Sequence, residues 1–329
     1  MHTPDDDEIE RLGRLPVTAE SIGFAADELA ACGRCGRMNA PTRAACLYCG
    51  AALDVDRSTA MRELRRADDW EPGFTVAASG PSGAAAFAGA LIGCDARLVE
   101  QLLATGEILP LVRLADREDA DVVRGELERS GMQAFMFADD ELMPSRPPRR
   151  LRRLEFSGDG VVLTPFSEAD EAVEVAVAKI ALVVSGLIRR VETSVSGRRK
   201  RGEFKTGETT EMSFDESVLD VYRAGDAIGY RVVTTGFDFS GLGGEMAATA
   251  AANIARLAER LVEKCPSAAF VDSYRTVEHL LRDVWPPAAS SDFTGRQRTG
   301  LMRSGYGRVD RSDTAATFTR FSRMQYYLL

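Results

Sequence analysis

The chain has 329 residues, 45% of them hydrophobic, with a formal net charge of -9 and a pI near 5.1. That length supplies two or three hydrophobic cores rather than one. The acidic balance argues against a broad nucleic-acid-binding surface, which is normally basic.

The N-terminal stretch Thr3-Pro4-Asp5-Asp6-Asp7-Glu8 is acidic where a signal peptide is basic and then apolar. The longest apolar run, Ile180 to Ser185 extended through Leu187-Ile188, is far short of the roughly 20 residues of a membrane span. A cytoplasmic protein is expected, in a reducing compartment where paired cysteines hold metal rather than disulfides.

Residues 1–31 are expected to be helical, with Thr18 as the N-cap of a helix from Ala19 to Ala30. Residues 32–53 follow, reading Cys32-Gly-Arg-Cys35, ten residues, then Cys46-Leu-Tyr-Cys49. Two residues between cysteines let one tight turn present two thiolates to a single ion. The ten-residue arm brings the second turn opposite and closes a four-sulfur tetrahedron. Gly36 and Gly50 each follow a pair, where a residue without a Cβ permits the left-handed turn that aims backbone N–H groups at sulfur. Because four cysteines leave no open coordination position, the predicted ion is one structural zinc, held by Cys32, Cys35, Cys46 and Cys49. Arg34, Arg37 and Arg43 lie close enough to offset its surplus of thiolate charge.

With Cys32, Cys35, Gly36, Asn39, Cys46, Cys49 and Gly50 in this order, the segment resembles the bacterial zinc-ribbon family. That resemblance implies an interaction or anchoring unit attached to other domains. The position of Asn39 is also similar to the Ran-binding-protein type of zinc finger, which binds single-stranded RNA or ubiquitin. That type carries a Trp shortly before the first cysteine, where this chain has Glu28-Leu29-Ala30.

Beyond a charged connector, Asp54 to Pro72, the pattern becomes periodic. Strands are predicted at Phe74–Ala78, Ile108–Ala115 and Met132–Ala138, and helices at Ala84–Ile92, Ala96–Ala104 and Arg117–Ser130. Asp116 stands at an N-cap position and Gly131 at a left-handed C-cap. Val122, Val123 and Leu127 give the third helix its apolar stripe. This order over residues 73–138, within an expected domain of 73–143, resembles the C-terminal domain of the bacterial ribosomal stalk protein, a fold shared by the Clp protease adaptor. The resemblance implies a domain that binds protein partners. The lysines through which the stalk protein engages translation factors are missing from Asp95-Ala96-Arg97-Leu98-Val99-Glu100.

Ser145 to Arg150 reads as a linker. Strands are then expected at Leu154–Phe156, Gly160–Thr164, Val173–Val177, Ile180–Val184, Leu187–Ser194, Ser217–Tyr222 and Tyr230–Phe239, with a tight hairpin at Gly158-Asp159-Gly160. A helix from about Glu245 to Lys264 carries Ile254, Leu257, Ala258, Leu261 and Cys265 on one face. Another runs from Ser273 to Val284 and stops at Pro286-Pro287. Residues 151–286 thus form a β-rich domain with capping helices, and the strands and long helix of 151–265 resemble the pleckstrin-homology superfold. That resemblance implies lipid-headgroup or peptide binding, with the basic loop Arg198-Arg199-Lys200-Arg201 placed for peripheral lipid contact. The other reading of that loop is a solvated hairpin tip.

Residues 287–329 are expected to be a flexible arginine-rich tail, carrying seven arginines against two aspartates between Arg296 and Arg323. If residues 315–328 form a helix, Phe318, Phe321 and Leu328 share one face, suited to docking in an apolar groove of this chain or of a partner.

The expected fold class is multidomain α+β: an N-terminal zinc ribbon, a small stalk-like or Clp-adaptor-like α/β domain, and a β-rich pleckstrin-homology-like domain with C-terminal helices. With only His2 and His279 available, no Ser-His-Asp or Cys-His arrangement can be assembled, and no catalytic or cofactor-binding residue is assigned. The expected function is a non-enzymatic cytoplasmic interaction or adaptor protein with a protein partner. One alternative is a zinc-ribbon protein contacting RNA or the ribosome. Another is an enzyme binding nucleotide at Gly241-Leu242-Gly243-Gly244, a loop that precedes a helix but lacks a P-loop lysine.

Overall fold

A computed structural model describes residues 29–39, 46–51, 64–143, 146–167, 169–200, 203–298 and 304–329. The chain forms two compact units, Met1–Leu64 and Arg65–Leu329. The expected helix over 19–30 lies outside the described residues but for its end. There Ala30 and Ala31 are a short strand, β1, paired antiparallel with β2 (Met38–Asn39).

The second unit begins with β3 (Phe74–Ser79), α1 (Ala85–Ile92), α2 (Ala96–Ala104), β4 (Leu109–Leu114), α3 (Arg117–Arg129) and β5 (Gln133–Ala138), then a short helix, α4 (Asp139–Leu142). The order and bounds follow the sequence pattern closely. β3 is the central strand, antiparallel to both β4 and β5. α2 is opened by Asp95, whose side chain accepts from Arg97 N–H. Ala120, Val123 and Leu127 bury one stripe of α3, and the chain leaves that helix through Gly131 at φ +86. The buried Arg113 bonds Asp139 and the carbonyls of Ala67 and Asp68, fastening residues 65–71 across the sheet edge.

A nine-stranded sheet follows: β6 (Arg149–Ser157), β7 (Gly160–Pro165), β8 (Val173–Ala176), β9 (Ile180–Lys200), β10 (Glu203–Arg223), β11 (Tyr230–Val233), β12 (Ala269–Val271), β13 (Ala288–Arg298) and β14 (Ser304–Asp313). The order is β13-β14-β9-β10-β11-β6-β7-β8, with β12 parallel to β9 off this path. α5 (Ala250–Lys264) lays Ile254, Leu257, Ala258 and Leu261 on one face of the sheet against Leu154, Leu163, Leu219 and Val221. Cys265 is buried in that same core.

The other face receives α6 (Tyr274–Leu281) and α7 (Ala315–Tyr327). Phe318, Phe321 and Met324 of α7 are fully buried, and Tyr274 meets the first two rings at 4.9 and 5.2 Å. Gly186 of β9 lies under Phe318; a Cβ there would stand 2.2 Å from the ring, so the close approach of the ring calls for glycine at this position. Arg231 forms a two-pronged pair with the buried Asp220, both bonds 2.7 Å, and its guanidinium stacks 5.0 Å from Phe318. Arg323, wholly buried, donates to the carbonyls of Leu142 and Arg146. Trp285 donates to Thr75 at 3.2 Å. α7 thus packs on the sheet at Gly186 and bonds to Leu142, Arg146 and, through Thr317, to the Trp285 carbonyl.

Three expectations are corrected here. Residues 288–298, 304–313 and 315–327 are two strands and a helix, not a flexible tail. Their polar pattern concealed the strands, of which residues 288–293 meet solvent, and the apolar groove that covers α7 lies in this chain. The strands expected at 180–184 and 187–194 are one 21-residue strand, which continues across Gly186. The polar stretch 203–216, left without an element by its lack of apolar alternation, pairs along β9. Among the described residues, no helix is long and apolar enough to cross a membrane.

Candidate metal centre

The two cysteine turns repeat one pattern of backbone bonds. Gly36 N–H donates to the Cys32 carbonyl (2.8 Å) and Cys32 N–H to the Arg37 carbonyl (3.0 Å). In the second turn Gly50 N–H donates to Cys46 (2.9 Å) and Cys46 N–H to Ala51 (2.8 Å). Both glycines have φ +68, the left-handed conformation that the sequence position anticipates. Each turn thereby carries its two sulfurs on one side.

The four sulfurs, of Cys32, Cys35, Cys46 and Cys49, lie within 4.8 Å of one another. Cys32 and Cys49 are 3.7 Å apart across the turns, and Cys35 and Cys46 3.6 Å. Tetrahedral sulfur about 2.3 Å from a central zinc gives neighbouring sulfurs about 3.8 Å apart. A disulfide would need about 2.05 Å. The cluster is therefore compatible with one structural metal ion.

Asn39 is the residue that joins the turns. It is buried, donates through Nδ2 to the Arg37 carbonyl (2.8 Å) and to Cys46 Sγ (3.5 Å), and accepts from Leu47 N–H at 2.9 Å. Tyr48 N–H also reaches Cys46 Sγ, at 3.4 Å. Burial opposes ionisation of Cys46, but the N–H groups of Tyr48 and Cys49 outweigh it and bring its pKa to about 6. Cys49 goes the other way, to about 12: the Ala51 N–H works against that rise, while burial and the three neighbouring sulfurs drive it. Four adjacent thiolates repel one another, and a bound cation removes that penalty.

The sequence singled out all four cysteines and both glycines. It noted Asn39 only as a matching position, and the bonds show it to be the strut between the halves. Met38, Leu47 and Tyr48 are exposed, the last two at 63% and 53%, and the Arg37 guanidinium lies 4.6 Å over the Tyr48 ring.

The other sites considered from sequence have ordinary structural settings. Gly241–Gly244 lies in a 3-10 segment, Phe239–Glu245. A Cβ at Gly241 would be 2.4 Å from the Leu154 carbonyl, and Arg260 donates to the carbonyls of Gly241 and Leu242. Close backbone packing thus accounts for glycine at 241. His279 is on the exposed side of α6. Arg198, Arg199 and Lys200 end β9, whereas Arg201 lies outside the described residues.

No protein-family model matches the chain, and no curated protein or solved structure matches it significantly.

Proposed function

We propose that the protein is a non-enzymatic interaction or adaptor protein whose recognition module is a zinc ribbon. The carrying observation is the cysteine cluster, closed by four sulfurs, beside the exposed apolar side chains of Leu47, Tyr48 and Met38. A closed site offers no position for substrate, and exposed apolar side chains on so small a module favour contact with a protein. Zinc is the ion we assign, since soft thiolates arranged as a tetrahedron select it. A cytoplasmic location agrees with unpaired thiols in a reducing compartment. The order of 73–143 supports the stalk-like reading, and the antiparallel strands packed on α5 support the pleckstrin-homology-like one.

The test compares captured partners of the full chain with those of a Leu47→Ser, Tyr48→Ala variant at equal zinc content. Loss of specific partners in the variant is expected; an unchanged set overturns the reading. A second reading, single-stranded RNA contact by the ribbon, is favoured by Arg37 over Tyr48, since a cation beside an aromatic plane suits base stacking. Salt-sensitive filter binding that disappears in Tyr48→Ala would select it.

A further inference from the structure

The small sheet of β4, β3 and β5 has two edges, and they differ. Along β4 the edge is closed by the chain that precedes the sheet. Arg66 bridges Leu114, Ala67 N–H donates to the Arg113 carbonyl at 3.1 Å, and Ala115 N–H donates to the Arg65 carbonyl at 3.0 Å. β4 also contains Pro110, which cannot donate to a further strand.

β5 is the other edge, and among the described residues no strand pairs with its outer side. Its six residues, Gln133-Ala-Phe-Met-Phe-Ala138, contain no charge, no proline and no bulge in their register with β3. Those are the devices by which proteins protect an exposed edge. Phe135 and Met136 are half-buried. Phe135 and Phe137 share one face, with ring centroids 6.3 Å apart. Tyr327 of α7 lies 6.4 Å from Phe137, with 41% of its surface exposed.

We propose that β5 pairs antiparallel with β5 of a second copy of this chain, about a two-fold axis at Met136, joining the two small sheets into one. A two-fold axis normal to the sheet keeps each face continuous, so residues of the same face oppose one another. Met136 then meets its own counterpart, Phe135 meets Phe137 of the second copy and the reverse, and Ala134 meets Ala138. Aromatic pairs across a ladder are among the stabilising ones. Charge agrees with self-pairing. No like charges are opposed along the ladder. The acidic α4, with Asp140 and Glu141 exposed, comes beside the turn at 130–132 of the second copy, where the adjoining charge is Arg129. An unrelated strand gains the backbone bonds alone, whereas a second copy also gains this match of side chains. The proposal does not depend on the reading of the cysteine ribbon.

Sedimentation equilibrium of the full-length protein at micromolar concentrations should show monomer and dimer in exchange. M136K sets two lysines on the axis and should weaken the dimer at least about 30-fold, the usual order for like charges opposed across an interface. M136E should do the same, and an equimolar mixture of the two should recover the dimer, which misfolded variants would not. M136C tests the register. Opposed residues of a ladder have Cα atoms about 4.5–5.5 Å apart, within the span of a disulfide. Oxidised glutathione should therefore link two chains of M136C through position 136, as peptide mapping would show, and should not link A138C through position 138. A monomer at every concentration overturns the proposal. So does a dimer that M136K leaves intact, a mixture of folded M136K and M136E that stays monomeric, or a dimer in which M136C fails to cross-link.

Discussion

Among the described residues, the ribbon of residues 29–51 buries Cys32, Asn39 and Cys46, whereas the unit from Arg65 onward buries Trp285, Tyr222, Tyr274, Phe318, Phe321 and a long series of aliphatic side chains. The first has thiolates and a strut of hydrogen bonds in place of a core. The second has two faces of a sheet covered by helices, with one glycine, Gly186, making room for an aromatic ring. A four-cysteine cluster compatible with one metal ion and burial of apolar surface are thus separate candidate sources of order in one chain. They should fail separately.

The largest effect is expected from Cys46→Ser, which should release the metal and unfold the ribbon, since structural zinc contributes about 10–16 kcal/mol in small fingers. Elemental analysis should fall from one zinc per chain to none while the melting transition of the larger unit stays in place. A shared loss of both would break the comparison. Phe318→Ala should do the converse, destabilising the larger unit by about 3–5 kcal/mol, as for large aromatics truncated in cores, with zinc content unchanged. Chemical denaturation measures the first quantity and elemental analysis the second.

Asn39→Ala sharpens the comparison within the ribbon. It removes the bond to Leu47 N–H and leaves partners of a buried group unsatisfied, a cost of about 1–3 kcal/mol. The expected readout is faster zinc transfer to a chelator, with the fold of the larger unit intact.

The smallest effect concerns acid. Burial alone would raise the pKa of Asp226, but the Arg149 guanidinium at 2.7 Å holds it below the ordinary carboxylate value. A depressed native pKa gives stability that is present above the unfolded value, about 3.9, and lost as pH falls through the native one. Asp226→Asn should therefore cost less than about 1 kcal/mol near neutral pH and nothing once the carboxyl is protonated in both states. Thermal melts of the two proteins should converge as the pH is lowered below 4, on the order of the unfolded value.

The cysteine site was legible because its chemistry is local: two residues between cysteines and a glycine after each pair determine the turn without help from the rest of the chain. The elements of 73–138 were legible for a similar reason, since strands and helices there each carry a one-sided apolar period. The same holds for α5, whose stripe of Ile254, Leu257, Ala258 and Leu261 packs as the pattern implies. Only the tertiary structure decided that Asp220 and Arg231 pair beneath Phe318, that Gly186 makes room for that ring, and that 288–313 adds two strands to the sheet. Arg190, Glu192, Arg311 and Asp292, in the long strands, lack the apolar alternation that betrays a strand; they are paired through the backbone ladder, with ion pairs across it, to partners elsewhere in the sequence. The sequence determined each local preference, whereas long-range pairing, which no local pattern encodes, set β14 and β13 beside β9.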